Sequence, residues 1–315
     1  MRRIALLALV SGLVPFMASA PASAQATRTW VSGVGDDANP CSRTAPCKTF
    51  PGAISKTAAG GEINCLDPGG FGQVTVIKSM TISCEAGTAG IVFSSGNAVN
   101  FNGGATDYLF LKGLDIEGLA KTGTSSSVAG VSFNTGLFLH IEDCVIRDSL
   151  TAGIMVKPAA NATFEVIRTT LFNNGSGVTG GGIVVKPTAG GTTGTIDHVA
   201  IDHNVFGIQA DGSAGGVVNL TVRDSTLNGN TQIGAQATTG ATAAGMMLTR
   251  VAASNNGTGL ATAGAGAFMR VGSSEITGNG TGVSASGVVL SYGTNQLDQN
   301  GTNGTLTLIA APALK

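Results

Sequence analysis

An asparagine recurs in this chain about every 25 residues, always at the same place in a repeating apolar pattern. Segments align on an apolar-x-apolar pair followed five residues later by another apolar residue. Leu109-x-Leu111 leads to Ile116, Leu139-x-Ile141 to Ile146, Phe164-x-Val166 to Leu171 and Ile196 to Ile201. Leu220-x-Val222 leads to Leu227, Met246-x-Leu248 to Ala253, Met269-x-Val271 to Ile276 and Leu290-x-Tyr292 to Leu297. Three residues after the last anchor stand Asn174, Asn204, Asn230, Asn256, Asn279 and Asn300, with Ser149 in the earlier copy. A Gly follows within three or four residues in most copies and leads into a further apolar residue. Asn and Gly tolerate a left-handed backbone. Each copy therefore reads as strand, short turn, strand, left-handed Asn turn, strand, variable loop.

One coil of three short strands cannot bury its own apolar face, whereas stacked coils bury a continuous core and give each strand a partner on either side. In-register stacking sets equivalent Asn side chains about 4.8 Å apart, close enough for each amide to donate to the next carbonyl. That ladder explains a polar residue at a buried turn. Asn256-Gly-Thr, Asn279-Gly-Thr and Asn300-Gly-Thr also match a glycosylation acceptor, but the repeat period, not the tripeptide, fixes where these Asn occur.

Composition narrows the function classes. Of 315 residues 48 are Gly, charged residues are 11%, and 17 basic face 18 acidic groups, so no electrostatic footprint for nucleic acid exists. A Gly-X-Y period is absent, which excludes collagen. Arg2 and Arg3, the apolar run Ile4 to Val14 and Ala22-Ser23-Ala24 read as a secretory signal peptide over 1–24. No later run is long and apolar enough to span a membrane. Export would carry all five Cys to an oxidising compartment. Cys41 and Cys47 bracket a short loop and are expected to pair, as are Cys65 and Cys84, leaving Cys144 as a small buried side chain. Their spacings match no zinc pattern, and no metal site is expected from them.

The period, the three strands and the Asn ladder resemble the right-handed parallel β-helix of the pectin-lyase-like superfamily, over about residues 60–310. The resemblance implies an all-β, right-handed parallel β-helix of three-strand coils with an N-terminal capping helix. The opening Trp30-Val31-Ser32-Gly33, Gly35-Asp36-Asp37 and Ala45-Pro46-Cys47-Lys48-Thr49-Phe50 resembles that of many secreted β-helix proteins. The capping helix is expected over Thr49 to Ala59, ended by Gly60-Gly61. The expected organisation is a signal peptide at 1–24, a cap at 25–62 and the β-helix at 63–315.

In enzymes of this superfamily the substrate groove follows the outer face of the first strand of each coil. Strand parity puts Phe110 and Lys112, His140 and Glu142, Glu165 and Ile167, Thr195 and Asp197, Thr221 and Arg223 on that face, and the next position along reads Gly113, Asp143, Arg168, His198, Asp224, Arg250. Much of the chain's sparse charge collects there. One reading is an alternating charge ladder stabilised by stacking alone. The other is a groove in which Lys112, His140, Glu142, Arg168, His198, Asp224 and Arg250 bind a glycan, with Glu165, Asp197 and Arg223 as candidate catalytic groups. The resemblance implies that lyases use carboxylates to hold Ca2+ and a basic residue beside a uronate carboxylate, and that hydrolases use two carboxylates. Ile196-Asp197-His198 resembles an element of pectate lyases, but Thr195 stands where a Trp is usual, and the tripeptide recurs as Ile201-Asp202-His203. The polygalacturonase set of motifs is absent, and one Trp and two Tyr leave few aromatics for sugar stacking. The expectation is therefore a secreted, non-catalytic scaffold that binds polysaccharide without a cofactor, at the cell surface, in the periplasm or outside the cell. The alternative is a polysaccharide lyase or glycoside hydrolase acting on a uronate-type glycan, with Ca2+ only in the lyase case.

Overall fold

The computed structural model describes residues 25–310 except 86, 88, 120–125 and 241. The signal peptide expected at 1–24 lies outside the described residues. The chain winds as a right-handed parallel β-helix whose three faces are built from stacked, parallel strands. The first face includes Tyr108–Lys112, Phe138–Glu142, Ala162–Ile167 and Gly191–Asp197. The second includes Val145–Arg147, Thr170–Phe172 and Ala200–Asp202. The third runs as nine strands from Val74–Val76 to Thr281–Ala285. Val217–Asn228 and Ala244–Ser254 continue round the corner between the first two faces and join them.

Register follows the apolar pattern. Leu109, Leu139, Phe164, Gly194, Leu220, Met246 and Met269 stack in one inward column, and Leu111, Ile141, Val166, Ile196, Val222, Leu248 and Val271 in the next. Each fully buried Leu, Ile or Phe contributes roughly 1.5–3 kcal/mol by leaving water. Gly194 is explained by its neighbour: a Cβ there would lie 2.2 Å from the Phe164 ring, which fills the space itself. The last coil departs from the expected alignment. Val289 and Ser291, not Leu290 and Tyr292, pair with Met269 and Val271 and face inward. The following turn is one residue longer, and buried Ser291 is satisfied there, its Oγ accepting from the Gly293 N–H (3.0 Å) and from Asn295 Nδ2 (2.8 Å).

The Asn ladder is continuous. In each rung the backbone N–H and Nδ2 donate to Oδ1 of the Asn in the next coil, as from Asn230 to Asn256 at 2.9 Å for both bonds. Nδ2 also donates to a backbone carbonyl, that of Ile201 in this case (3.1 Å). The same pattern links Asn174, Asn204, Asn230, Asn256, Asn279 and Asn300. Asn300 then donates to Asn303 Oδ1 three residues on, and residues 302–303 accept from the last strand of the third face. The left-handed residue is not the ladder Asn, as expected from sequence, but the one before it: Asn173, His203, Gly229, Asn255, Gly278 and Gln299 have φ between 55° at His203 and 68° at Gly278. That turn aims the following amide inward.

A second column lies at the corner between the first and second faces. Thr169, Ser225 and Ser274 each accept a backbone N–H from the previous coil and donate to the carbonyl two residues back. Cys144 does the same, its Sγ accepting from the Leu114 N–H (3.4 Å) and donating to the Glu142 carbonyl (3.2 Å). Burial pushes its thiol up to about 12. Cys41 is bonded to Cys47 and Cys65 to Cys84, the latter across adjacent coils with Cα atoms 5.0 Å apart.

At the N-terminal end, Ala26–Val31 adds a strand beside Thr57–Cys65. The helix Phe50–Ile54 covers the core there, with Phe50 and Ala53 buried, Phe50 against Phe71, and Thr49 as its cap. It is shorter than expected. Thr57 already pairs as a strand residue and its hydroxyl meets that of Thr29 at 2.7 Å, so Gly60-Gly61 lie within a strand rather than ending the helix. No described helix is long and apolar enough to cross a membrane.

Candidate functional site

Three outward columns of the first face carry the polar chemistry. Register places Phe110, His140, Glu165, Thr195 and Thr221 in one, and Lys112, Glu142, Ile167, Asp197 and Arg223 in the next. Asp143, Arg168, His198, Asp224 and Arg250 form the third; the first three lie between strands, and Asp224 and Arg250 lie within the two strands that run round the corner. They are the left-handed corner into the second face, with φ of 54, 44, 54, 49 and 52°. Asp and His tolerate this region better than most residues; Arg there is unusual. Each Arg is bonded to the Asp one coil before it.

Those bonds divide the face into two clusters. In the first, Arg168 Nε donates to Asp143 Oδ1 (2.8 Å), and Arg168 also reaches Glu142. Lys112 Nζ lies 3.2 Å from Glu142 and 3.5 Å from Asp143. The Arg168 guanidinium holds Asp143 below the ordinary carboxylate value. Burial would raise Glu142, but hydrogen bonds from His140, Lys112 and Arg168 outweigh it and hold it low. His140 sits between two acids, 3.2 Å from Glu165 and 3.4 Å from Glu142.

In the second cluster, Arg223 donates to Asp197 Oδ2 at 2.7 Å, and His198 Nδ1 lies 2.7 Å from Asp197 Oδ1. Arg250 donates to both oxygens of Asp224, at 2.6 and 2.7 Å. The hydrogen bond from Arg223 holds Asp197 low, and that from Arg250 does the same for Asp224. One ligand atom each from Asp197, His198 and Asp224 fall within 4.8 Å of one another. Two carboxylates and an imidazole at that spacing could together offer ligands to a metal ion, although each carboxylate is also bonded to an arginine.

Glu165 and Asp197, expected as partners, stand diagonally on adjacent coils and belong to different clusters: Glu165 bonds His140 and Asp197 bonds Arg223. The structure also gathers aromatic rings that sequence reasoning passed over. Tyr108 and Phe138 stand one outward step before Phe110 and His140, and the four rings form a contiguous shelf with centroids 5.3–6.2 Å apart, 5.3 Å for Tyr108–Phe110 and 6.2 Å for Phe138–His140. The same parity count, taken two residues upstream, would have found them.

No family model matches this chain, and no curated protein matches it. Among solved structures, it is similar to a crystal structure of pectate lyase Pel9A, with a TM-score of 0.56 and 15% sequence identity over 90% of this chain and 77% of that one. The fold is that of the pectate-lyase-like parallel β-helix. These findings correct the expectation of a non-catalytic scaffold. Asp197 and Asp224 are each paired with an arginine one coil on, as stacking requires, but together with His198 they also converge on one point, which stacking does not require. They do so at the edge of the outer first face, where the chain turns into the second.

Proposed function

We propose that this protein is a polysaccharide lyase that cleaves a uronate-containing glycan by β-elimination on the outer first face. The observation that carries this reading is the convergence of Asp197, His198 and Asp224 beside two arginines. Asp197 and Asp224 would hold a divalent cation such as Ca2+ through their carboxylate oxygens, with His198 beside them. When bound, the cation draws charge from a substrate carboxylate and makes the neighbouring C–H more acidic. Arg223 and Arg250, which bond the same carboxylates, would be the groups that face an anionic ligand at this site. Arg223 stays protonated, its pKa raised by Asp197, so it neutralises the uronate carboxylate rather than taking a proton. Glu165, with a side chain 42% exposed one coil away, is assigned the proton at C5. The C5–H and C4–O bonds break, the C4–C5 double bond forms, and the leaving oxygen takes a proton from water.

A hydrolase reading is weaker, because it needs a carboxyl that stays protonated and Arg223 holds Asp197 ionised. The disulfides Cys41–Cys47 and Cys65–Cys84 support action outside the cytoplasm. The test is incubation of the purified protein with polygalacturonate and Ca2+. Unsaturated uronate should accumulate, stop with a chelator, and be absent with Asp197→Asn and Arg223→Ala while both variants remain folded. Reducing ends without unsaturated product would make the enzyme a hydrolase, and neither product would sink the proposal.

A further inference from the structure

The aromatic shelf lies on the same face as the cation cluster, displaced toward the N-terminal end. Phe138–Glu142 and Gly191–Asp197 are separated by one intervening strand, Ala162–Ile167. The shelf and Asp197 are therefore two coils apart, about 10 Å along the stack. Tyr108, Phe110, Phe138 and His140 floor a depression of about 760 Å³, a size common for small-molecule sites. Thr81, Ser83, Lys112 and Glu142 edge it. The Tyr108 hydroxyl makes no hydrogen bond among the described residues.

An apolar floor inside a polar edge is the complement of a pyranose ring, which presents C–H groups on its faces and hydroxyls around its rim. Aromatic faces carry negative charge density and attract such C–H groups. The edge is charge-balanced, because Lys112 and Arg168 are both paired with Glu142 and Asp143. It offers no uncompensated cation to a carboxylate. The second cluster is different: two arginines balance two aspartates, so a bound divalent cation leaves it positive.

Resting on the lyase reading, we infer that the substrate is a mixed polymer: the shelf seats an uncharged pyranose while the Asp197–Asp224 cluster seats a uronate of the same chain. The shelf is a specificity subsite and takes no part in the bond breaking.

The experiment measures binding of cellohexaose, a β-1,4-galactohexaose and hexagalacturonate by calorimetry, for the wild type and for Phe110→Ala, Phe138→Ala and the double variant, with circular dichroism to confirm folding. At least one neutral probe should bind the wild type and weaken about three- to tenfold per ring removed. Hexagalacturonate should bind with little change. Tyr108→Phe, which keeps the ring and removes the hydroxyl, should weaken the neutral probe less than either Ala variant. Wild type that binds no neutral probe, or a folded double variant that binds it undiminished, overturns the inference. The two proposals fail separately. Elimination by the wild type with an indifferent double variant removes the shelf and keeps the lyase. Loss of neutral-sugar binding in the double variant, with no elimination by the wild type, does the reverse.

Discussion

Two polar columns run along the stack, each with one residue per coil, and they obey opposite rules. The Asn174-to-Asn300 column is chemically uniform and buried as far as Asn279; the Asp143-to-Arg250 column is at the surface and changes identity at every coil. The difference is access to water. Inside, every donor must find an acceptor on its neighbour, and a primary amide is self-complementary, offering both through one side chain. Any other residue breaks two rungs at once. Outside, water satisfies whatever the neighbours leave, so stacking constrains only the sign of adjacent charges. The surface column is free to vary, and a site can be assembled there at little cost to the fold.

The largest effect that separates the columns is Asn230→Ala. Asn230 accepts from the Asn204 N–H and Nδ2 and donates to Ile201 and Asn256. Its loss strands buried partners above and below and should lower stability by about 1–3 kcal/mol, read as a lower denaturation midpoint. A wild-type midpoint would mean that the inner column is hydrated and the contrast false. A smaller effect comes from acid. Hydrogen bonds from Arg168 and Arg223 hold Asp143 and Asp197 below the ordinary 3.8, so their contribution is fully present above that value and is lost as the pH falls through it toward their folded pKa. Thermal midpoints should be flat in this respect from pH 7 to about 5 and drop below about 4. The double variant Asp143→Asn, Asp197→Asn should flatten part of that drop; an identical acid limb would show that the outer column does not couple to folding. The smallest effect tests the corner column, which is buried yet mixed. Cys144 makes the same two contacts as Thr169, Ser225 and Ser274, so Cys144→Ser should cost less than Asn230→Ala. A larger cost would mean that sulfur's size, not its hydrogen bonding, decides that position.

The same contrast explains what could be read in the sequence. Asn204, Asn230 and Asn256 announce the fold because burial forbids substitutes at fixed spacing. The outward set Lys112, Glu142, Asp197 and Arg223 was legible from parity alone. The left-handed corner was not, since Asp143, Arg168 and His198 share no residue type. Nor was the one-residue slip at Val289 and Ser291, because Leu290 and Tyr292 satisfy the apolar pattern equally well and only the longer following turn distinguishes them. The meeting of Asp197, His198 and Asp224 depends on how side chains converge across two coils at a corner, which a one-dimensional period does not encode. The shelf escaped for a simpler reason: aromatic content was judged over the whole chain, while Tyr108, Phe110 and Phe138 are concentrated on two adjacent strands.

The amide column also has a direction. Every rung gives its hydrogens toward the C-terminus, so the final coil would present free donors that the acceptor end of another molecule could meet. Asn303 supplies the missing oxygen from within the same chain, and residues 302–303 lie along the strand edge beside it. The segment closes the amide column. The hydrogen-bonded column therefore closes inside the chain at Asn303, although the winding goes on for one more parallel strand, Thr307–Leu308, on the first face.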